Sequence, residues 1–84
     1  MASTIFDPGH AELVAMLKAT RLERGMTQAA VGERVGKSQS FISLIERGQR
    51  RVDVIEFIAL GRAMGVDVEQ LFSRVASEHS REAG

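Results

Sequence analysis

Apolar residues recur along this chain at helical spacing, in five short runs separated by glycines and capping residues. Leu13, Val14 and Leu17 form the first run; Asp7-Pro8 stands before it as a cap-type residue with proline at a first helical position, and Gly25 closes it. This predicts a helix from His10 to Arg24 behind a mobile tail over residues 1–9, which includes Ile5 and Phe6. Thr27 is the next N-cap, for a helix carrying Val31 and Val35 and ending at Gly36. Only Lys37 intervenes before Ser38 caps a third helix, which stops at Gly48. Asp53 caps a fourth, with Val54, Phe57, Ile58, Gly61 and Met64 along one stripe and Gly65 at its end. Asp67 caps a fifth, whose Val68, Leu71, Phe72 and Val75 fall at i, i+3, i+4 and i+7. Past Ala76 the period is lost, so residues 77–84 are expected to fray. There is no strand-like alternation, internal repeat or linker. The expected fold is an all-α five-helix bundle, one domain over residues 10–76. Its second and third helices are joined by a short turn containing glycine, the helix-turn-helix arrangement.

The third helix separates its residues by face. With Gln39 at zero and about 100° per residue, Ile42 and Ile45 fall near about 300° and 240°, and Phe41 near about 200°. Gln39, Ser43, Arg47, Ser40 and Leu44 occupy the arc from zero to about 140°. One side is apolar and suits a core. The other is mostly small, polar or cationic and suits a major groove, where Gln pairs bidentately with adenine and Ser bonds several base edges. Composition alone allows an ordinary solvated face as readily.

Charge sharpens the picture. The net charge is zero, yet His10 to Arg51 holds eight Lys/Arg against four acids, and Val52 to Gly84 holds three against six. A basic front and an acidic rear fit a protein that turns one face to phosphates, although charge counting alone allows random scatter as readily. With 84 residues and no cysteine, neither a disulfide framework nor a thiolate metal cluster supports the fold, which leaves an apolar core and oligomerisation. No apolar run approaches the ~18–20 residues of a membrane span, and no basic-then-apolar leader opens the chain. The expectation is a soluble cytoplasmic protein.

Thr27-Gln28, Val31, Val35-Gly36, Ser38-Gln39-Ser40, Ile42-Ser43 and Ile45-Glu46-Arg47-Gly48 together resemble the phage-repressor and Cro-like (Xre-type) helix-turn-helix family. The likeness runs from about Leu13 to Leu71, without a gap in its core. It implies a lambda repressor-like bundle, binding of a double-stranded DNA operator as a transcriptional regulator, and usually a homodimer. Carried over by position, it makes Gln28 a phosphate contact at a helix N-terminus, where exposed N–H groups favour an anion. Gln39 and Ser40 become base readers, with Ser43 and Leu44 one turn further along. Lys37, Arg47, Arg50 and Arg51 fall where the DNA backbone lies, while Thr27 is a cap. Glu46, near about 340°, turns from the groove; in the family a Glu here pairs with an Arg matching Arg21, tying the first helix to the third. Two residues depart from the pattern. Leu44 replaces a polar or basic residue and meets a thymine methyl or is simply exposed. Gly32 stands where Ala is usual, which keeps the helices close but costs about 0.5–1 kcal/mol of helix propensity.

An enzyme is not expected, because His10 and His79 stand alone without a nucleophile, a general base or a metal set. No cofactor or small-molecule ligand is implied. Gly61 and Gly65, four apart, mark close packing in a soluble helix. The default function is a small autoregulatory repressor that reads a palindromic operator through the helix from Gln39 to Arg47. Homodimer contacts are expected on the outward side of the fourth helix (Ile55, Ala59) and on the fifth (Phe72, Val75), unless Phe72 and Val75 complete the monomer core. The alternative is a protein-interaction module on the same fold, an antiactivator or antitoxin, which Phe41, Leu44 and the zero net charge favour. The joint presence of Gln28, Gln39, Arg47, Arg50 and Arg51 speaks for DNA.

Overall fold

The computed structural model describes the backbone of residues 7–83 and the side chains of residues 7–77. Ile5, Phe6 and the ring of His79 lie outside the described residues. Five helices follow in order: α1 (Pro8–Glu23), α2 (Gln28–Val35), α3 (Gln39–Glu46), α4 (Val54–Ala63) and α5 (Val68–Ala83). Among the described residues there is no strand.

Each start is set by a side chain that satisfies an orphan N–H. The Asp7 carboxylate accepts from Gly9 at 2.9 Å, Thr27 from Ala30 at 3.0 Å and Ser38 from Phe41 at 3.2 Å. Asp53 and Glu56 form a reciprocal capping box, with N–H to carboxylate distances of 2.7 and 3.0 Å. Asp67 accepts from both Glu69 and Gln70. Because Asp7 caps and Pro8 needs no N–H partner, α1 begins at Pro8, ahead of the expected His10. At the other end, α5 runs past Ala76 to Ala83. The residues after Ala76 have lost their apolar period, but no glycine or proline interrupts them before Gly84.

The core joins Val14 and Leu17 of α1, Val31 of α2, Ile42 and Ile45 of α3, Phe57, Leu60, Ala63 and Met64 of the α4 region, and Leu71 of α5. The expected stripe on α4 needs correcting. Leu60 and Ala63 are buried although they lie off it, whereas Val54 is 71% exposed. The cause is that α4 packs against both α2 and α5, which widens its buried arc. Val54, in the first turn, borders an open groove beside α5. Phe72 touches Phe57 edge-on at 6.3 Å between ring centres but stays 60% exposed, so it does not complete the monomer core.

Two glycines permit close approach. A Cβ on Gly61 would lie 2.9 Å from the Val68 side chain, in keeping with close packing of α4 and α5. A Cβ on Gly32 would lie 2.9 Å from the carbonyl oxygens of both Lys37 and Ser38, in the turn between α2 and α3. Arginines finish the bundle. Arg24 and Arg34 donate to the carbonyls of Met64 (3.1 Å) and Ala63 (2.9 Å), satisfying acceptors at the end of α4 that have no helical partner.

Candidate nucleic-acid interface

Helix α3 is anchored by Ile42 and Ile45, 3% and 2% exposed. That burial fixes its rotation and turns Gln39, Ser40 and Arg47 outward as exposed residues, with Ser43 and Leu44 half-buried between them. A helix with two buried isoleucines three apart has little freedom to roll, because a roll would expose both.

Behind the start of α3 lies a continuous polar chain. The Arg21 guanidinium grips Glu46 through Nε at 2.6 Å and Nη2 at 3.0 Å, and its Nη1 donates to the Met26 carbonyl at 2.8 Å. Glu46 also accepts from the Gln28 amide at 2.9 Å, and Gln28 in turn accepts from the Gln39 amide at 2.6 Å. Burial pushes the Glu46 carboxyl up, but hydrogen bonds from Arg21 and Gln28, with the charges of Arg21 and Lys18, hold it below the ordinary carboxylate range. Gln28 and Gln39, expected to contact phosphate and base separately, are thus bonded to each other. The signal for this was only their position at the starts of helices flanking a short turn.

The cations divide. Arg50 makes two bonds to Glu56, at 3.0 and 2.8 Å, and stacks over the Phe41 ring at 4.5 Å from its centre. Lys37 lies over the same ring at 5.3 Å. Phe41, apolar yet at the edge of the helix face, is therefore covered by two cations. Arg51 stands 4.0 Å from Asp7, with both side chains about half exposed. Arg47 is exposed. Away from this face, Ile55 is 73% exposed and Ala59 is exposed beside it, while Val75 is half-buried.

Sequence reasoning missed His10. Only 5% exposed, it accepts the Val52 N–H on Nε2 at 3.1 Å. Nothing in a single histidine near one end of the chain signals a contact with a residue so distant in sequence.

A sequence model described as helix-turn-helix matches residues 17–71, a span that takes in α2, the turn, α3 and α4. The chain belongs to the helix-turn-helix family. An uncharacterized HTH-type transcriptional regulator of Sinorhizobium fredii, y4dJ, is 43% identical over 51 residues, covering 61% of this chain and 66% of that protein. Among solved structures, an XRE-family like protein from Pseudomonas syringae superposes with a TM-score of 0.81 at 36% identity, over 89% of this chain and 92% of that one. The restriction-modification controller protein C.Esp1396I, solved as a tetramer on its operator, shares the fold with a TM-score of 0.76 at 23% identity, over 92% and 96% of the two chains. This helix-turn-helix chain is thus of the Xre type. Among its described residues no helix is long and apolar enough to cross a membrane, and no group of three or more His, Asp or Glu residues is placed to hold a metal ion.

Proposed function

We propose that this protein is a sequence-specific regulator of transcription that binds operator DNA as a homodimer in the cytoplasm, with α3 in the major groove. The observation that carries the reading is the outward face of α3, where Gln39, Ser40, Ser43 and Leu44 stand over a buried Ile42–Ile45 anchor. Gln39 and its three neighbours read bases. Gln28, Lys37, Arg47 and Arg51 hold the sugar-phosphate backbone. Arg50, bonded to Glu56 and stacked on Phe41, acts on the backbone from a fixed position. The interaction-module alternative loses a main support, since Phe41 is covered by Lys37 and Arg50. Regulation of its own gene is the simplest mode, so DNA immediately upstream of its reading frame is the first probe.

Base reading and backbone holding separate in a titration. Gln39→Ala is expected to weaken the specific site by ~1–3 kcal/mol and relax one base-pair position, leaving unrelated DNA nearly unchanged. Arg51→Ala is expected to weaken all duplexes alike and to make the salt slope shallower by about one unit. Equal loss on every sequence for Gln39→Ala would make Gln39 a backbone contact.

Dimerisation is supported by an apolar surface that the monomer leaves uncovered. Val54 and Phe72, 71% and 60% exposed, border a groove of about 670 Å³, and Ile55 is 73% exposed nearby. Two half-sites about one helical turn apart, ~34 Å, would then be read together. Phe72→Glu is expected to yield a folded monomer by sedimentation, with half-site affinity only. A wild-type monomer both free at high concentration and on DNA would overturn the dimer.

A further inference from the structure

We propose that His10 is a positioning residue for DNA binding: by accepting the Val52 N–H, its imidazole anchors the Arg51–Val52 backbone to α1, and protonation releases that anchor. This role rests on the DNA-binding reading above, and it concerns a residue that touches no DNA itself.

The geometry allows one working state of the ring. Nε2 accepts from Val52 at 3.1 Å, so in that state it carries no proton, and the single ring proton sits on Nδ1. A proton added to Nε2 would set two N–H groups head to head and remove the partner the ring has among the described residues, where Nδ1 is buried without one. Burial and the charge of Arg51 disfavour a cation on the ring. Arg51 faces the ring from the segment it anchors, and the ring is the third residue of α1, at the positive end of that helix. Asp7 is the opposing influence. Glu12 and Lys18 belong to the same helix; Glu46 and Arg47 border the adjoining groove from α3, and Asp53 borders the other from the start of α4. The residues α5 brings to that groove, Phe72, Val75 and Ala76, are uncharged. Burial first, and then Arg51, holds His10 below its ordinary value of 6.5. The sign follows: the neutral form is favoured by folding, so its contribution is intact above about pH 6.5 and is lost as pH falls below that toward the folded value.

The anchored segment carries Arg51. An unanchored segment must be ordered when DNA binds, and the order is lost from affinity. Protonation of His10 therefore weakens DNA binding. A histidine that merely lay near phosphates would do the reverse, because a new cation strengthens binding as pH falls.

The test compares wild type, His10→Gln and His10→Leu on two duplexes of equal length, one from upstream of the reading frame and one unrelated, between pH 5 and 8. Glutamine keeps an acceptor at similar reach but does not titrate; leucine keeps bulk without an acceptor. Wild-type affinity is expected to fall about threefold to tenfold toward pH 5, the scale of one protein hydrogen bond. His10→Gln should hold its neutral-pH affinity across the range, and His10→Leu should be weak throughout. In the free protein, the Val52 amide should be protected relative to its intrinsic exchange rate at pH 7.5, lose that protection as His10 protonates, and keep it across the range in His10→Gln. Parallel pH profiles for wild type and His10→Gln, or an unprotected Val52 amide, would overturn the proposal. No binding by wild type to either duplex at pH 7.5 would instead overturn the DNA reading, and the Val52 amide would still report whether the anchor exists.

Discussion

Glu46→Gln is expected to lower the thermal unfolding midpoint by about 12–24 °C, from a loss of ~3 kcal/mol in a domain of this size. The Arg21 and Glu46 side chains are only 11% and 6% exposed, so water cannot replace what the substitution removes. The amide oxygen of Gln can still accept one bond, but the guanidinium is left without its counter-charge in a poorly solvated place. That places the cost at the low end of the ~3–5 kcal/mol range for a stranded buried ion. Gln28 loses its acceptor on Glu46 as well, although it keeps the bond from Gln39. Affinity for DNA should follow the folded fraction, with the order of preferred bases unchanged. The acid limb of stability should also flatten. Glu46 is held below its ordinary value of 4.5, so it contributes stability above that pH and loses it as pH falls through the folded value. Circular dichroism melts of wild type and variant from pH 3 to 7 measure both effects. A midpoint within about 4 °C of wild type, the scale of 1 kcal/mol or less, would show that the pair is solvated after all.

Gly32→Ala is the second large effect, and its sign is opposite to the propensity argument. On helix propensity alone, alanine should stabilise α2 by about 0.5–1 kcal/mol. The added methyl, however, would sit 2.9 Å from two backbone oxygens, those of Lys37 and Ser38. Backbone in a capped turn cannot step aside as a side-chain tip can, and overpacking of this kind costs ~1–3 kcal/mol. The expected net result is a fall in the midpoint of several degrees. It should come with weaker specific DNA binding, because the turn that must shift leads directly into Gln39. A higher midpoint with unchanged affinity would show that the turn yields without cost. The glycine that departs from the usual alanine thus sits against a turn whose backbone leaves no room for a methyl.

The helices themselves were legible from local signals. Thr27, Ser38, Asp53 and Asp67 each cap the helix they precede, because a short side-chain acceptor next to an orphan N–H needs no tertiary partner. The turn between α2 and α3 was legible for the same reason, with Gly36 in the left-handed region. The faces of α3 followed from spacing alone: Ile42 and Ile45 inward, Gln39 and Ser40 outward. Family resemblance added what spacing does not contain, namely the pairing of Arg21 with Glu46 across 25 positions.

Other features depend on which elements meet, and no local rule contains that. Whether α4 buries a narrow stripe or a wide arc depends on α2 and α5 flanking it, which is why Val54 is exposed and Ala63 is not. Phe72 has the spacing of a core residue but stays 60% exposed, with an edge contact to Phe57. Arg24, Arg34 and Arg50 read alike in sequence as a basic front. In the folded chain the first two close the end of α4 and the third binds Glu56. His10 meets Val52 only because α1 and the segment after α3 lie side by side. Capping and helical period act over a few residues and are written in the order of the chain. Burial, ion pairing and the partner of a buried ring act through space between segments far apart in sequence, so only the packed tertiary structure decides them.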